Sequence, residues 1–273
     1  MPQVLPFAGR LLVILAASLW LAGCNKDLLG GSAPPRVDSP PVASPTPPPR
    51  SSSSATSAPA PSAPAVAPVP SDTPSRTDAT PSIVLAIQPL GAELPDADVR
   101  MVEQALHAFY DVRIQRLDRI PLPDGAKNDA RTRYRAEKLL TVLEQRLPAG
   151  ATRILGLTGA DISTTKGNIA DWGILGLATI DGAVCVISKF RTTRGTRTAE
   201  EARIRLGKVA VHEIGHTLGL EHCPTVGCLM EDARGTVLTC DREYDLCPRC
   251  REQLERAGYR LPSGTIPWPR PGP

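Results

Sequence analysis

Histidine is scarce in this chain of 273 residues: there are four. Aromatic residues are few as well, three Trp, four Tyr and three Phe. Charge of one sign is not in excess, the formal net charge being +3. A nearly balanced chain with few aromatics offers neither a basic field nor a stacking platform, so no nucleic-acid partner is expected. A membrane-spanning run is also missing. The longest apolar stretch, Leu11 to Gly23, has 13 residues, too short to cross a hydrocarbon core of about 30 Å as a helix. There is no internal repeat, which excludes a solenoid or propeller. Proline, by contrast, is abundant, and 15 of the 29 prolines lie between Gly31 and Pro81. The chain therefore reads as separate segments rather than one uniform globule.

Residues 1–23 have the layout of an export signal, with Arg10 before the apolar run and Leu21-Ala22-Gly23 before Cys24. Small residues before a cysteine form a lipobox, where the signal is cut and the thiol acylated. A plain signal peptide with an incidental cysteine is the alternative. Asn25 rather than Asp after the cysteine favours the outer of two membranes. Residues 24–81 are rich in Pro, Ser and Ala. They lack the apolar pattern needed to offset the entropy of ordering, so a lipid-anchored disordered tether is expected.

Residues 82–262 are expected to form one domain, followed by a disordered tail over 263–273. Ser82 to Leu90 and Thr152 to Leu157 read as buried strands, and Val112 to Ile120 alternates. Helical spacing covers Asp96 to Tyr110, Arg131 to Leu147 and Thr198 to Leu220. Asp181-Gly182 between Asp171 to Ile180 and Ala183 to Phe190 signals a hairpin. Pro248 to Ala257 makes a last helix. The pattern predicts an α+β fold, a small mixed sheet with helices packed on it.

Three of the four histidines fall within His212-Glu213-Ile214-Gly215-His216-Thr217-Leu218-Gly219-Leu220-Glu221-His222. Residues four apart share a helical face, so His212 and His216 point at one ion while Glu213 leans toward a water there. Gly219 can leave the helix in a left-handed conformation and bring His222 back as a third ligand. Three imidazoles with one open position make a catalytic zinc site, and Glu213 is the expected general base. His107 and Glu221 are read as bystanders. Two cysteine pairs follow, Cys223/Cys228 and Cys247/Cys250. Four thiolates from two short loops make a closed, structural zinc site. In an oxidising compartment they could instead pair as disulfides. Cys185 and Cys240 are left over. Cys185 reads as a buried strand residue, and Cys240 as a partner for it or a substitute for Cys247.

The run from His212 through Cys228-Leu229-Met230 to Cys250 resembles the archaemetzincins, zinc metallopeptidases of the metzincin clan. The resemblance implies a zincin-like fold with a loop-rich C-terminal subdomain and two Zn²⁺ ions per chain. His212, His216 and His222 would hold the catalytic zinc, with Glu213 as base and Met230 in a Met-turn beneath it. Cys223, Cys228, Cys247 and Cys250 would hold the second zinc. The segment from Trp172 to Ala178 is similar to the family's upper-rim edge strand, which would pair with an extended peptide substrate. The expected protein is thus a monomeric, membrane-tethered peptidase acting on peptides or small proteins. A non-catalytic, zinc-stabilised lipoprotein that binds a partner is the alternative, and a hydrolase of non-peptide bonds a weaker third.

Overall fold

A computed structural model of the chain describes residues 83–128 and 132–272. The signal, Cys24 and the tether lie outside the described residues. Among the described residues no helix is long and apolar enough to cross a membrane.

Among the described residues eight strands and five α-helices follow one another from β1 (Ile83–Leu90) through α1 (Asp96–Phe109), β2 (Val112–Arg116), β3 (Tyr134–Arg135) and α2 (Ala136–Glu144). They continue with β4 (Arg153–Thr158), β5 (Ile162–Lys166), β6 (Ile169–Ile174), β7 (Gly176–Ala178) and β8 (Val184–Ser188). The last helices are α3 (Ala199–Thr217), α4 (Thr239–Arg242) and α5 (Pro248–Arg256). The main sheet has the order β2-β1-β4-β8-β7, and only the edge strand β7 runs antiparallel to its neighbour. β1, β4 and β8 are buried almost throughout, because parallel strands covered on both faces need near-continuous apolar sequence. On one face, α1 and α3 close a core containing Leu85, Val102, Leu106, Phe109, Leu206 and Ala210. On the other, α2 buries Leu139 and Leu143 against Ala86, Ile154 and Val186. This is the α+β zincin-like arrangement expected from the sequence.

The long helix α3 is set by its ends. Thr198 caps its start by accepting from the Glu201 N–H at 3.1 Å, while Glu201 reaches back to the Arg197 N–H at 2.8 Å. This reciprocal capping is worth about 1 kcal/mol. At the other end Gly219 takes φ +90°, the conformation required of it by the sequence reading. The helix stops at Thr217 rather than Leu220.

Three other expectations are corrected. The helix expected over 131–147 spans only Ala136–Glu144, because Tyr134 and Arg135 pair with Ile162 and Ser163 as a strand. The strand expected to reach Ile120 stops at Arg116. The hairpin around Asp181-Gly182 forms only from Gly176, since β8 ends at Ser188 and leaves residues 169–174 without a partner there. They pair with β5 instead. The Arg191 guanidinium occupies the space over Gly173 and is held by both carboxylate oxygens of Asp161, at 2.7 and 2.9 Å.

The tail, expected to be disordered, differs as well. Residues 263–272 lie against the domain, with Trp268 stacked on Phe109 at 5.6 Å between ring centroids. Its indole N–H donates to the Tyr244 carbonyl at 3.0 Å. An apolar ring with one polar edge is buried favourably where that edge finds an acceptor. Replacing Trp268 with Ala should therefore lower the unfolding free energy by about 3 kcal/mol, read as a lower denaturant midpoint. An unchanged midpoint would mean that the tail contributes nothing.

Candidate metal centre

α3 carries His212 and His216 on one face, and the turn at Gly219 returns His222 to them. Ring centroids lie 4.6 Å apart for His212 and His216, 4.9 Å for His216 and His222, and 5.4 Å for His212 and His222. One ring nitrogen from each lies within 4.8 Å of the others. The Nδ1 of His212 meets the Leu229 carbonyl at 2.7 Å, and that of His216 meets the Leu220 carbonyl at 2.7 Å. A carbonyl only accepts, so both Nδ1 atoms carry the proton and donate it. Both Nε2 atoms then present bare lone pairs, and they face each other at 3.0 Å.

Two lone pairs at that distance repel unless a cation lies between them. Tetrahedral zinc with Zn–N of about 2.0–2.1 Å places ligand nitrogens about 3.3 Å apart, so the spacing fits. Burial acts in the same direction. It holds His212 well below the usual histidine range, with the neighbouring His216 ring adding to the effect. It lowers His216 to about 4. Both rings are neutral at physiological pH, as metal ligands must be. His222 is exposed, leaving the centre open on its side.

Glu213 is buried beside the histidines, and burial pushes its carboxyl up to about 8. A divalent cation at the three histidines acts in the opposite direction and favours the carboxylate. The carboxyl lies under the edge strand. A Cβ on Gly176 would sit 2.5 Å from Glu213 Oε1, so glycine alone lets β7 pass this close. Below the histidines, Met230 is fully buried and its sulfur packs under Gly215, where a Cβ would sit 2.6 Å from Sδ. Tyr110 donates its hydroxyl to the Val211 carbonyl at 2.8 Å and braces α3 from behind.

The second group is Cys223, Cys228, Cys247 and Cys250, whose sulfurs all lie within 4.8 Å of one another. All four are free. Cys223 and Cys247 are 3.6 Å apart, and Cys228 and Cys250 share a hydrogen bond at 3.8 Å. These are not disulfide distances. They match the roughly 3.8 Å edge of a tetrahedron with Zn–S of about 2.3 Å. The hydrogen bond with Cys250 holds the Cys228 thiol below the usual range against the cost of burial. The N–H groups of Cys247 and Met230 add to this, at 3.4 and 3.5 Å from the sulfur. Cys240 lies outside this group, so it does not replace Cys247, and it is not joined to Cys185. Burial raises both leftover thiols well above the usual range and leaves them inert. His107 and Glu221 are exposed and lie outside both clusters.

Comparison with known proteins places the chain in a family. The family model described as peptidase family M54 matches residues 97–256. The chain belongs to peptidase family M54. It is a zinc-dependent metallopeptidase. The archaemetzincin of Natronomonas pharaonis is 35% identical over 176 residues, which cover 62% of this chain and 97% of that protein. The crystal structure of the Methanopyrus kandleri archaemetzincin superposes with a TM-score of 0.55 at 29% identity, covering 64% of this chain and 94% of that one. That of the Archaeoglobus fulgidus archaemetzincin gives 0.53 at 30% identity, covering 63% and 99%.

Sequence reading missed the two carbonyls that orient the histidines, because backbone acceptors leave no trace in residue type. It also missed Gly176, whose only signal is a glycine inside a strand pattern. In the Gly176→Ala variant the new methyl must displace the Glu213 carboxyl. Hydrolysis of a quenched fluorogenic peptide library should fall about a hundredfold with zinc content unchanged. Full activity would show that this close approach is not used.

Proposed function

We propose that the chain hydrolyses peptide bonds at the His212/His216/His222 centre, with Glu213 as the general base, and that a second zinc is held by Cys223, Cys228, Cys247 and Cys250. The facing, unprotonated Nε2 atoms of His212 and His216 at 3.0 Å carry this reading. Zinc, when bound, supplies a Lewis acid that polarises the scissile carbonyl. The remaining work falls to the chain. Leu229 and Leu220 fix the tautomers of His212 and His216 through their carbonyls. Glu213, one position along the helix from His212, takes a proton from the attacking water and passes it to the leaving amine. The three-residue strand β7 has β8 on one side only and lies against Glu213. An extended substrate adds to its free edge, where main-chain hydrogen bonds hold it and leave specificity to the side chains. Met230 under Gly215 is the floor of the centre.

We also infer that the enzyme works as a monomer outside the cytoplasm, tethered through acylated Cys24, in the outer membrane where the cell has two. The small residues Ala22 and Gly23 before Cys24 and the Pro-rich stretch after it support this.

The Glu213→Gln variant should retain its zinc and lose hydrolysis about a thousandfold, since the amide cannot accept the proton. Undiminished turnover of a peptide library would reject Glu213 as base. The Cys24→Ser chain should move from the detergent-extracted membrane fraction to the soluble fraction. Unchanged membrane retention would reject the lipid anchor.

A further inference from the structure

The two metal-type clusters are joined through the chain at two points. His222 and Cys223 are consecutive, and each belongs to a different cluster. The second junction is the tripeptide Cys228-Leu229-Met230. Cys228 Sγ is in the thiol cluster, the Leu229 carbonyl accepts from His212 Nδ1 at 2.7 Å, and Met230 packs under Gly215. A short backbone bond holds the two junctions to each other, and another ties the second junction to the segment before Cys247. The Cys223 N–H donates to the Met230 carbonyl at 2.7 Å, and the Leu229 N–H donates to the Asp245 carbonyl at 3.0 Å. The thiol cluster itself receives the Met230 and Cys247 N–H groups on Cys228 Sγ.

Behind this assembly lies a buried cation. Lys208 stands one turn before His212 on α3, and its ammonium donates to the carbonyls of Cys240 and Glu243 at 2.7 and 2.6 Å. It fixes the far end of the loop to the same helix. The segment between Met230 and Cys247 is therefore held to the helix by Lys208, and Cys228 and Cys247 at its two ends stand in the thiol cluster. Without a cation the sulfurs lose the bonds that tie all four to one point and keep only weak contacts such as that of Cys228 with Cys250 at 3.8 Å, so an empty cluster is free to open. Opening moves both His222, through its bond to Cys223, and the Leu229 carbonyl, through Cys228.

We propose that the thiol cluster is the positioning device for the catalytic metal: its occupancy sets where Leu229 O and His222 stand, and so how tightly the three histidines bind. This rests on the reading of two metal sites given above. A staple acting only on stability would leave the histidine site unchanged once the protein is folded. The coupling is reciprocal, so filling the histidine site also tightens the thiol site.

Cobalt(II) separates the two sites, because thiolate ligation adds a strong near-ultraviolet charge-transfer band that imidazole ligation lacks. The apo full chain should bind two cobalt ions, one of them with that band. A single ion in the wild type would refute the two-site reading itself, not the coupling. In Cys247→Ala the charge-transfer band should disappear. The affinity of the remaining cobalt, measured against a competing chelator, should fall about tenfold or more, as when a ligand-orienting group is lost. Cys247→His, which restores a fourth ligand, should bring that affinity back toward the wild-type value. A folded Cys247→Ala chain with wild-type affinity at the histidines would overturn the proposal.

Should Cys247→Ala fail to fold, the wild-type zinc protein can be titrated with an organomercurial. A cavity of about 140 Å³ lined by His222, Cys223, Arg249 and Cys250 gives the reagent access. With circular dichroism unchanged, the zinc at the three histidines should then exchange about tenfold faster or more. Unchanged exchange would equally overturn the proposal.

Discussion

Two imidazole nitrogens with bare lone pairs face each other 3.0 Å apart at the heart of this domain. Left alone, that arrangement is repulsive, and the surrounding structure exists to maintain it. The i, i+4 spacing on α3 supplies the pair. Two carbonyls, one from the turn after the helix and one from the loop below, hold each ring in the tautomer that leaves Nε2 free. Burial keeps both rings uncharged. What relieves the repulsion is a cation, and zinc suits the donors, the distance and the open fourth position.

The remaining architecture delivers groups to that point. The buried strands β1, β4 and β8 form a rigid backing for α1 and α3, and β7 is laid on the sheet edge in the antiparallel sense. Because Gly176 has no side chain, this edge can pass directly over Glu213. The free edge of the sheet and the Glu213 carboxyl are thereby brought together on regular elements, β7 and α3. On the opposite side, Met230 and the cysteine loops close the floor beneath α3. Lys208 and Trp268 bind that lower part to the helices, and Tyr110 braces α3. The tail crossing Phe109 completes the cover, which explains why its Trp is among the few aromatics in the chain.

Much of this was legible in the sequence because it is written in side-chain identity and spacing. His212, Glu213, His216, Gly219 and His222 stand where their spacing places them, and the four cysteines assemble as their pairing indicates. The fold class followed from the alternation of apolar strands and amphipathic helices. Less was legible where tertiary pairing overrode local pattern. Tyr134 and Arg135 joined a strand although helical spacing ran through them, and residues 169–174 found β5 because β8 ended early. The tail reads as loose by composition, and only the presence of the Phe109 face makes Trp268 bury itself. The carbonyls of Leu220 and Leu229 could not be found from sequence, since every residue has one.

The central claim is that three imidazoles and four thiolates each hold zinc in one chain. X-ray absorption at the zinc edge of the purified full chain tests it most directly. Averaged over two zincs per chain, the spectrum should show a sulfur shell at about 2.3 Å together with a nitrogen and oxygen shell at about 2.0–2.1 Å. One zinc per chain with no sulfur shell would contradict the account, as would two zincs with sulfur alone.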